Sequence, residues 1–127
     1  MKKIALLTMA IILSGCTPSL SWIPSKWDPN EAAVITDVQF SAVNLDCKEN
    51  YKQSIDHLYS KVKWIETYSK FKGTRDISEI IIELVNTTTE FKSRSDNGGM
   101  SKIYCEMKRK VIIQESEMTA KTIQGRF

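Results

Sequence analysis

The chain reads as all-α, a small antiparallel bundle of about four helices with one disulfide, carried on a short N-terminal tether. Three observations predict this. Apolar residues recur at spacings of three and four in four successive stretches, the period of a helix with one buried face. Three of those stretches open on an aspartate followed three residues later by glutamate, a helix start signal. Cys47 and Cys105 fall near the starts of the second and last stretches, and an up-down order of helices puts those starts at the same end.

A leader precedes the helices. Lys2 and Lys3 supply its positive start, and the stretch 4–13 is apolar apart from Thr8. A span needs about 20 apolar residues, so this shorter run is read as an export signal, residues 1–15, removed on maturation. It closes on Leu13-Ser14-Gly15-Cys16, which resembles the lipobox of bacterial lipoproteins. The resemblance implies a diacylglyceryl group on the Cys16 thiol, cleavage just before that residue and acylation of the new amine. Two such chains suffice for stable anchoring. That covalent lipid is the only group expected, with no cofactor and no metal. Thr17 stands where an aspartate would be expected to retain the protein at the inner membrane. The chain is therefore similar to lipoproteins forwarded to the outer membrane of Gram-negative cells, facing the periplasm, the host's membrane if the chain is phage-encoded.

Cleavage would remove Lys2 and Lys3 and no acid, leaving 16 Lys+Arg against 15 Asp+Glu in 112 residues. Near-neutral charge argues against nucleic acid as a partner. The length suits one domain, small enough to profit from a covalent staple. Residues 16–27, with Pro18, Pro24 and interspersed serines, read as a lipidated cysteine and tether. Trp22, Ile23 and Trp27 either sit at the bilayer interface or fold back on the domain, residues 28–127.

Asp28-Pro29-Asn30-Glu31 offers an N-cap, a proline at the first helical position and a glutamate to complete a capping box. Ile35, Val38, Ala42 and Leu45 follow as one stripe. Asp46-Cys47-Lys48-Glu49 repeats the signal, predicting a second helix over about 47–72 with Tyr51, Ile55, Leu58, Val62 and Ile65 inward. Tyr59, Trp64, Tyr68 and Phe71 widen its aromatic surface, and Gly73 fits a left-handed stop. Asp76-Ile77-Ser78-Glu79 starts a third helix with Ile77, Ile80, Ile81, Leu84, Val85, Thr88 and Phe91. Its β-branched run makes this the weakest helix former, and a strand is the alternative. Residues 95–99 read as a loop. The last helix, about 101–124, is expected to present Tyr104, Met107, Val111 and Met118, flanked by Ile103 and Ile112.

After Cys16 is set aside, an exported chain retains two cysteines, and Cys47 and Cys105 are expected to form a disulfide. Parallel second and last helices bring them together within one chain.

Chemistry is sparse. His57 is the sole histidine, without a companion for a zinc set or a nucleophile. Glu106, Glu115 and Glu117, or Asp76 with Glu79, are imaginable carboxylate pairs, but caps and solvated helix faces explain them better. Gly98-Gly99 follows Asp96-Asn97 as a turn rather than a phosphate loop, and the sequon at Asn86 has no force in a bacterial envelope. The expectation is therefore a non-enzyme with no small-molecule substrate. The lysines at 61, 63, 70 and 72, and Lys108-Arg109-Lys110, read as solvated faces before anionic-lipid or partner sites. For partner binding the candidates are Tyr68, Phe71, Arg126 and Phe127, since aromatics and arginine dominate hot spots.

Beyond the lipobox, the order WIPSKWDPNEA, LDC, WIETYSKFKG, YCEMKRK and a final GRF resembles the outer spanin lipoproteins of some tailed phages. That resemblance implies a partner rooted in the inner membrane and a joint role in fusing or disrupting the outer membrane during host lysis. Better-known outer spanins are shorter and proline-rich, a departure from this chain. A helix of about 25 residues is near 38 Å long, so the partner would supply most of the span. The alternative is a pilotin-like lipoprotein, similar in being a small disulfide-bonded helical bundle, that escorts a secretion-channel subunit.

Overall fold

A computed structural model describes residues 25–126, in which five helices and no strand occur: α1 (Pro29–Val43), α2 (Tyr51–Lys72), α3 (Arg75–Ile80), α4 (Ile82–Asp96) and α5 (Lys102–Gln124). The leader, Cys16, Trp22 and Phe127 lie outside the described residues. α1 starts as its sequence predicts: the Asp28 carboxylate accepts from the backbone N–H of Asn30 at 2.8 Å and of Glu31 at 3.2 Å, with Pro29 first in the helix. α5 starts on Ser101, whose hydroxyl accepts from the Tyr104 N–H at 3.2 Å. α2 stops on Gly73 at φ 72°, a left-handed conformation that glycine adopts without a Cβ clash.

Two start signals behave differently. The Asp46 carboxylate accepts from the N–H of Lys48 at 2.8 Å and of Asn50 at 3.2 Å. These bonds close a turn, so α2 begins only at Tyr51 and Cys47 stays in the α1–α2 connection. Asp76 lies inside α3, with Thr74 at the cap position. The third stretch is divided at Ile81 (ψ −3°), although hydrogen bonds continue from its N–H to the Ile77 carbonyl and to its own carbonyl from Val85. Three consecutive isoleucines, 80–82, crowd the preceding turn. The resulting bend buries Ile77 and Ile81 and leaves Ile82 outside.

The four long helices form a ring in the order α1, α2, α4, α5, each antiparallel to both neighbours, with α3 crossing one end against α2, α4 and α5. The core lies along the ring's axis: Ile35, Val38 and Ala42 from α1; Ile55, Leu58, Val62 and Ile65 from α2; Leu84, Val85 and Phe91 from α4; Ile112, Ala120 and Ile123 from α5. Register is marked outside by Lys61–Asp37 (2.8 Å), Lys92–Asp56 (2.9 Å) and Lys108–Glu90 (2.6 Å), each joining adjacent helices. Such exposed pairs contribute little individually.

The inward face of α5 is rotated from the expected one. Tyr104 and Val111 are half-buried, and Met107, Met118 and Ile103 are exposed, the last at 82%. The buried positions are Cys105, Ile112, Ser116, Thr119, Ala120 and Ile123. The disulfide turns Cys105 inward, and spacings of seven, four, three and four then carry the face through small residues that let α5 approach its neighbours. The Ser116 and Thr119 hydroxyls donate to carbonyls of their own helix, those of Ile113 (3.0 Å) and Glu115 (2.8 Å), so their burial leaves no donor unpaired.

Cys47 and Cys105 are joined, with Cα atoms 5.7 Å apart. The bond pins the α1–α2 connection to the first turn of α5, at the end of the bundle remote from where the tether enters. Arg109 reinforces it by donating to the Leu45 carbonyl at 3.3 Å.

Candidate functional site

At the tether end the start of α1, the ends of α2 and α5 and the start of α3 converge, and their polar side chains close on one another. Glu31, completely buried, is the centre. Its carboxylate accepts from the Arg126 guanidinium at 3.0 Å and from the Thr74 hydroxyl at 2.7 Å. It does not fold back to complete a capping box on Asp28. Arg126 reaches onward to the Asp76 carboxylate, which also accepts from the backbone N–H (3.2 Å) and hydroxyl of Ser25. The last described residues of both chain ends are thereby tied to α3.

Asp28 adds a second, more exposed layer. Its carboxylate caps α1, pairs with the Lys72 ammonium and accepts from the Tyr68 hydroxyl at 3.3 Å. The hydrogen bond from Lys72 holds its carboxyl below the usual carboxylate range, against the opposing effect of burial and with help from the Glu31 and Asn30 N–H groups. For Asp76, burial pushes upward, but the Ser25 hydroxyl and N–H and the Arg126 charge together prevail and keep it low.

These contacts locate the sequence-derived candidates. The Arg126 side chain is only 2% exposed and paired with Glu31 and Asp76. Tyr68 is half-buried, stacked on Trp64 with ring centroids 4.7 Å apart and accepting from Asn30 through its hydroxyl at 3.0 Å. Phe71 is 89% exposed. Phe127 and Cys16 lie outside the described residues, and Cys47 and Cys105 are bonded to one another.

Trp27, Trp64 and Phe71 are all substantially exposed at this end. A second apolar row, Ile103, Met107 and Met118, runs down the outside of α5. A shallow cleft of about 330 Å³ between α1 and α2 is lined by Asp37, Phe40, Ser41, Asn44, Ser54, His57 and Lys61. Phe40 is the one large apolar side chain among these, and aliphatic carbons of its neighbours complete the walls. Among the described residues no group of three or more His, Cys, Asp and Glu side chains is placed to hold a metal ion, and no helix is long and apolar enough to cross a membrane.

Of the carboxylates raised as possible acid–base pairs, Glu106 and Glu117 face α5 lysines, Lys102 at 3.9 Å and Lys121 at 2.8 Å. Glu115 is half-buried against α4. One oxygen accepts from the Thr87 hydroxyl at 2.9 Å and the other is buried without a partner. Burial pushes its carboxyl up, the Thr87 hydrogen bond opposes this, and Glu83 adds to the rise. An acid whose pKa is higher when folded loses stability as pH rises from its unfolded value through its folded one. Glu115→Gln is therefore expected to raise the thermal midpoint by a few degrees at pH 7, with the gain vanishing below about pH 4. Melting curves across that range read it directly.

No protein-family model, curated protein or solved structure matches the chain. The functional reading therefore rests on its own residues. The sequence does not show the Glu31–Arg126 pair because each residue fits a local role, one in a capping box and the other as a partner-binding candidate near the end of the chain. Their separation of 95 residues leaves no local signal.

Proposed function

We propose that this chain is an outer-membrane lipoprotein, anchored through Cys16, that works by contact, and that it is the outer spanin member of a phage lysis pair. The observation that carries the contact reading is the apolar row on α5, where Ile103 and Met118 are 82% and 69% exposed on a rigid helix. Large apolar side chains presented at helical spacing suit an amphipathic helix laid alongside. The spanin identity comes from the resemblance of the mature sequence, and its partner is a single-span inner-membrane protein with a periplasmic helix. At 23 residues α5 is about 35 Å long, so that partner supplies most of the distance between the membranes.

The compact, disulfide-closed bundle favours a second reading, a pilotin-like escort of a secretion-channel subunit. The α1–α2 cleft offers one large apolar side chain, Phe40, where a helix-in-groove contact calls for several. Crosslinking in intact envelopes followed by mass spectrometry separates the two. The spanin reading expects a single-span inner-membrane protein, lost with Met107→Glu plus Met118→Glu. A secretin subunit in its place would establish the escort role.

The anchor is tested independently. Cys16→Ser should leave the protein unacylated and absent from the outer-membrane fraction. Normal fractionation of that variant would refute the lipoprotein reading.

A further inference from the structure

The tether end of the bundle carries two features on its outward surface, outside the buried Glu31–Arg126 pair. One is aromatic: Phe71 is 89% exposed, Trp27 and Trp64 are about half exposed, and Tyr68 lies between Trp64 and Lys72. Phe71, Tyr68 and Trp64 follow one another up the outer face of α2. At 1.5 Å per residue the row climbs about 10 Å. Trp27 joins it from the chain leading into α1, immediately before the Asp28 that holds both Lys72 and Tyr68.

The other feature is charge. Formal charges at this end nearly balance, but their placement does not. The carboxylates of Glu66 and Asp28 are 15% and 5% exposed, while their partners Lys63, Lys70 and Lys72 stand 43%, 64% and 42% exposed. Lys26 and Arg75 are exposed beside them. On the α2 side the outward surface is therefore cationic and aromatic, with Asp28 and Glu66 set behind, while Glu79 and Glu83 stand exposed on the α3–α4 side.

We infer that this end of the bundle docks on the phospholipid surface, with Phe71 and Trp27 entering the headgroup region and Lys26, Lys70 and Lys72 meeting lipid phosphates. The inference rests on the anchoring of Cys16. Eight residues lie between Cys16 and Ser25, and even fully extended the nine steps from one to the other reach no more than about 32 Å. Ser25 is bonded to Asp76 at this same end, so the anchor keeps this end of the bundle within tether reach of the bilayer. A short linker holds two sites at an effective concentration of millimolar order, so a weak interfacial contact suffices. Tryptophan and tyrosine favour the headgroup level, and basic residues near an anionic surface add attraction. The aromatic row, about 10 Å tall, spans the roughly 5–8 Å of interface on each side of the hydrocarbon.

The test uses the acylated protein with Trp22→Phe, so that only Trp27 and Trp64 emit. It is reconstituted in vesicles of phosphatidylethanolamine and phosphatidylglycerol, with and without brominated acyl chains. Docking predicts flotation with the vesicles and emission quenched about twofold by the brominated lipid. Adding Phe71→Asp, at a position too exposed to disturb folding, should abolish most of the quenching while flotation persists. Flotation with equal emission in both vesicle types would overturn docking alone, as would quenching that Phe71→Asp leaves intact. Failure to float would overturn the lipid anchor and docking with it. Crosslinking of position 71 to a protein rather than to lipid in envelopes would also overturn it.

Discussion

Arg126→Met is expected to lower the thermal midpoint by roughly 15 °C or more, since removing one partner of a buried ion pair costs about 3–5 kcal/mol. Glu31 is fully buried and keeps only the Thr74 hydroxyl once the guanidinium is gone. Asp76 loses its charge partner at the same time. Most of the cost is the stranded carboxylate, so adding Glu31→Gln should recover more than half of it. Gln retains an oxygen for Thr74 and carries no charge. Equal losses in the single and double variants would show that Arg126 acts through packing alone. The effect of pH follows from Asp28 and Asp76, both held below their ordinary range in the folded chain. Their contribution is whole above their unfolded values, near pH 4, and is lost as pH falls through the lower folded ones. Acid should therefore destabilise the wild type below about pH 4, and more steeply than Arg126→Met, in which Asp76 has less to lose. Denaturant midpoints at several pH values measure both slopes.

Helix existence was legible wherever apolar spacing and a stop or start residue agreed. Asp28-Pro29 opens α1, Gly73 ends α2, and the stripes of α1 and α2 are buried as their spacing required. Legibility failed where one residue type serves two physical roles. Asp46 and Asp76 look like N-caps, but an aspartate side chain also closes short turns and pairs with distant cations. Burial on α5 was misread because Ser116 and Thr119 satisfy their own hydroxyls within the helix, while Met107 and Met118 are exposed. Hydrophobicity alone assigns those four positions the wrong way round. The exposure of Phe71 and the burial of Arg126 depend on where separate helices end in space, information that no single stretch contains.

Reducing the Cys47–Cys105 bond should cost about 4 kcal/mol by loop-closure entropy, because it releases a constraint across a sequence separation of 58 residues. Native disulfides removed from small exported domains commonly cost about 2–5 kcal/mol, which brackets that value. Cys47→Ser with Cys105→Ser is the better variant, since Cys105 is fully buried and a lone thiol there invites mispairing. The protein should still fold, because the rest of the core and the Glu31–Arg126 pair are untouched, and should still reach its membrane through Cys16. Loss of stability without relocation is the expected pattern in thermal melts and fractionation. Equal melting of oxidised and reduced protein would mean that the bond contributes nothing. The two strongest effects also sit at opposite ends of a bundle about 35 Å long, with no shared partner. Their costs should therefore add to within about 0.5 kcal/mol in the triple variant with Arg126→Met. A shortfall well beyond that would mean that the two ends unfold separately. The disulfide would then staple the top of the ring while the ion pair holds the bottom, instead of both stabilising one cooperative domain.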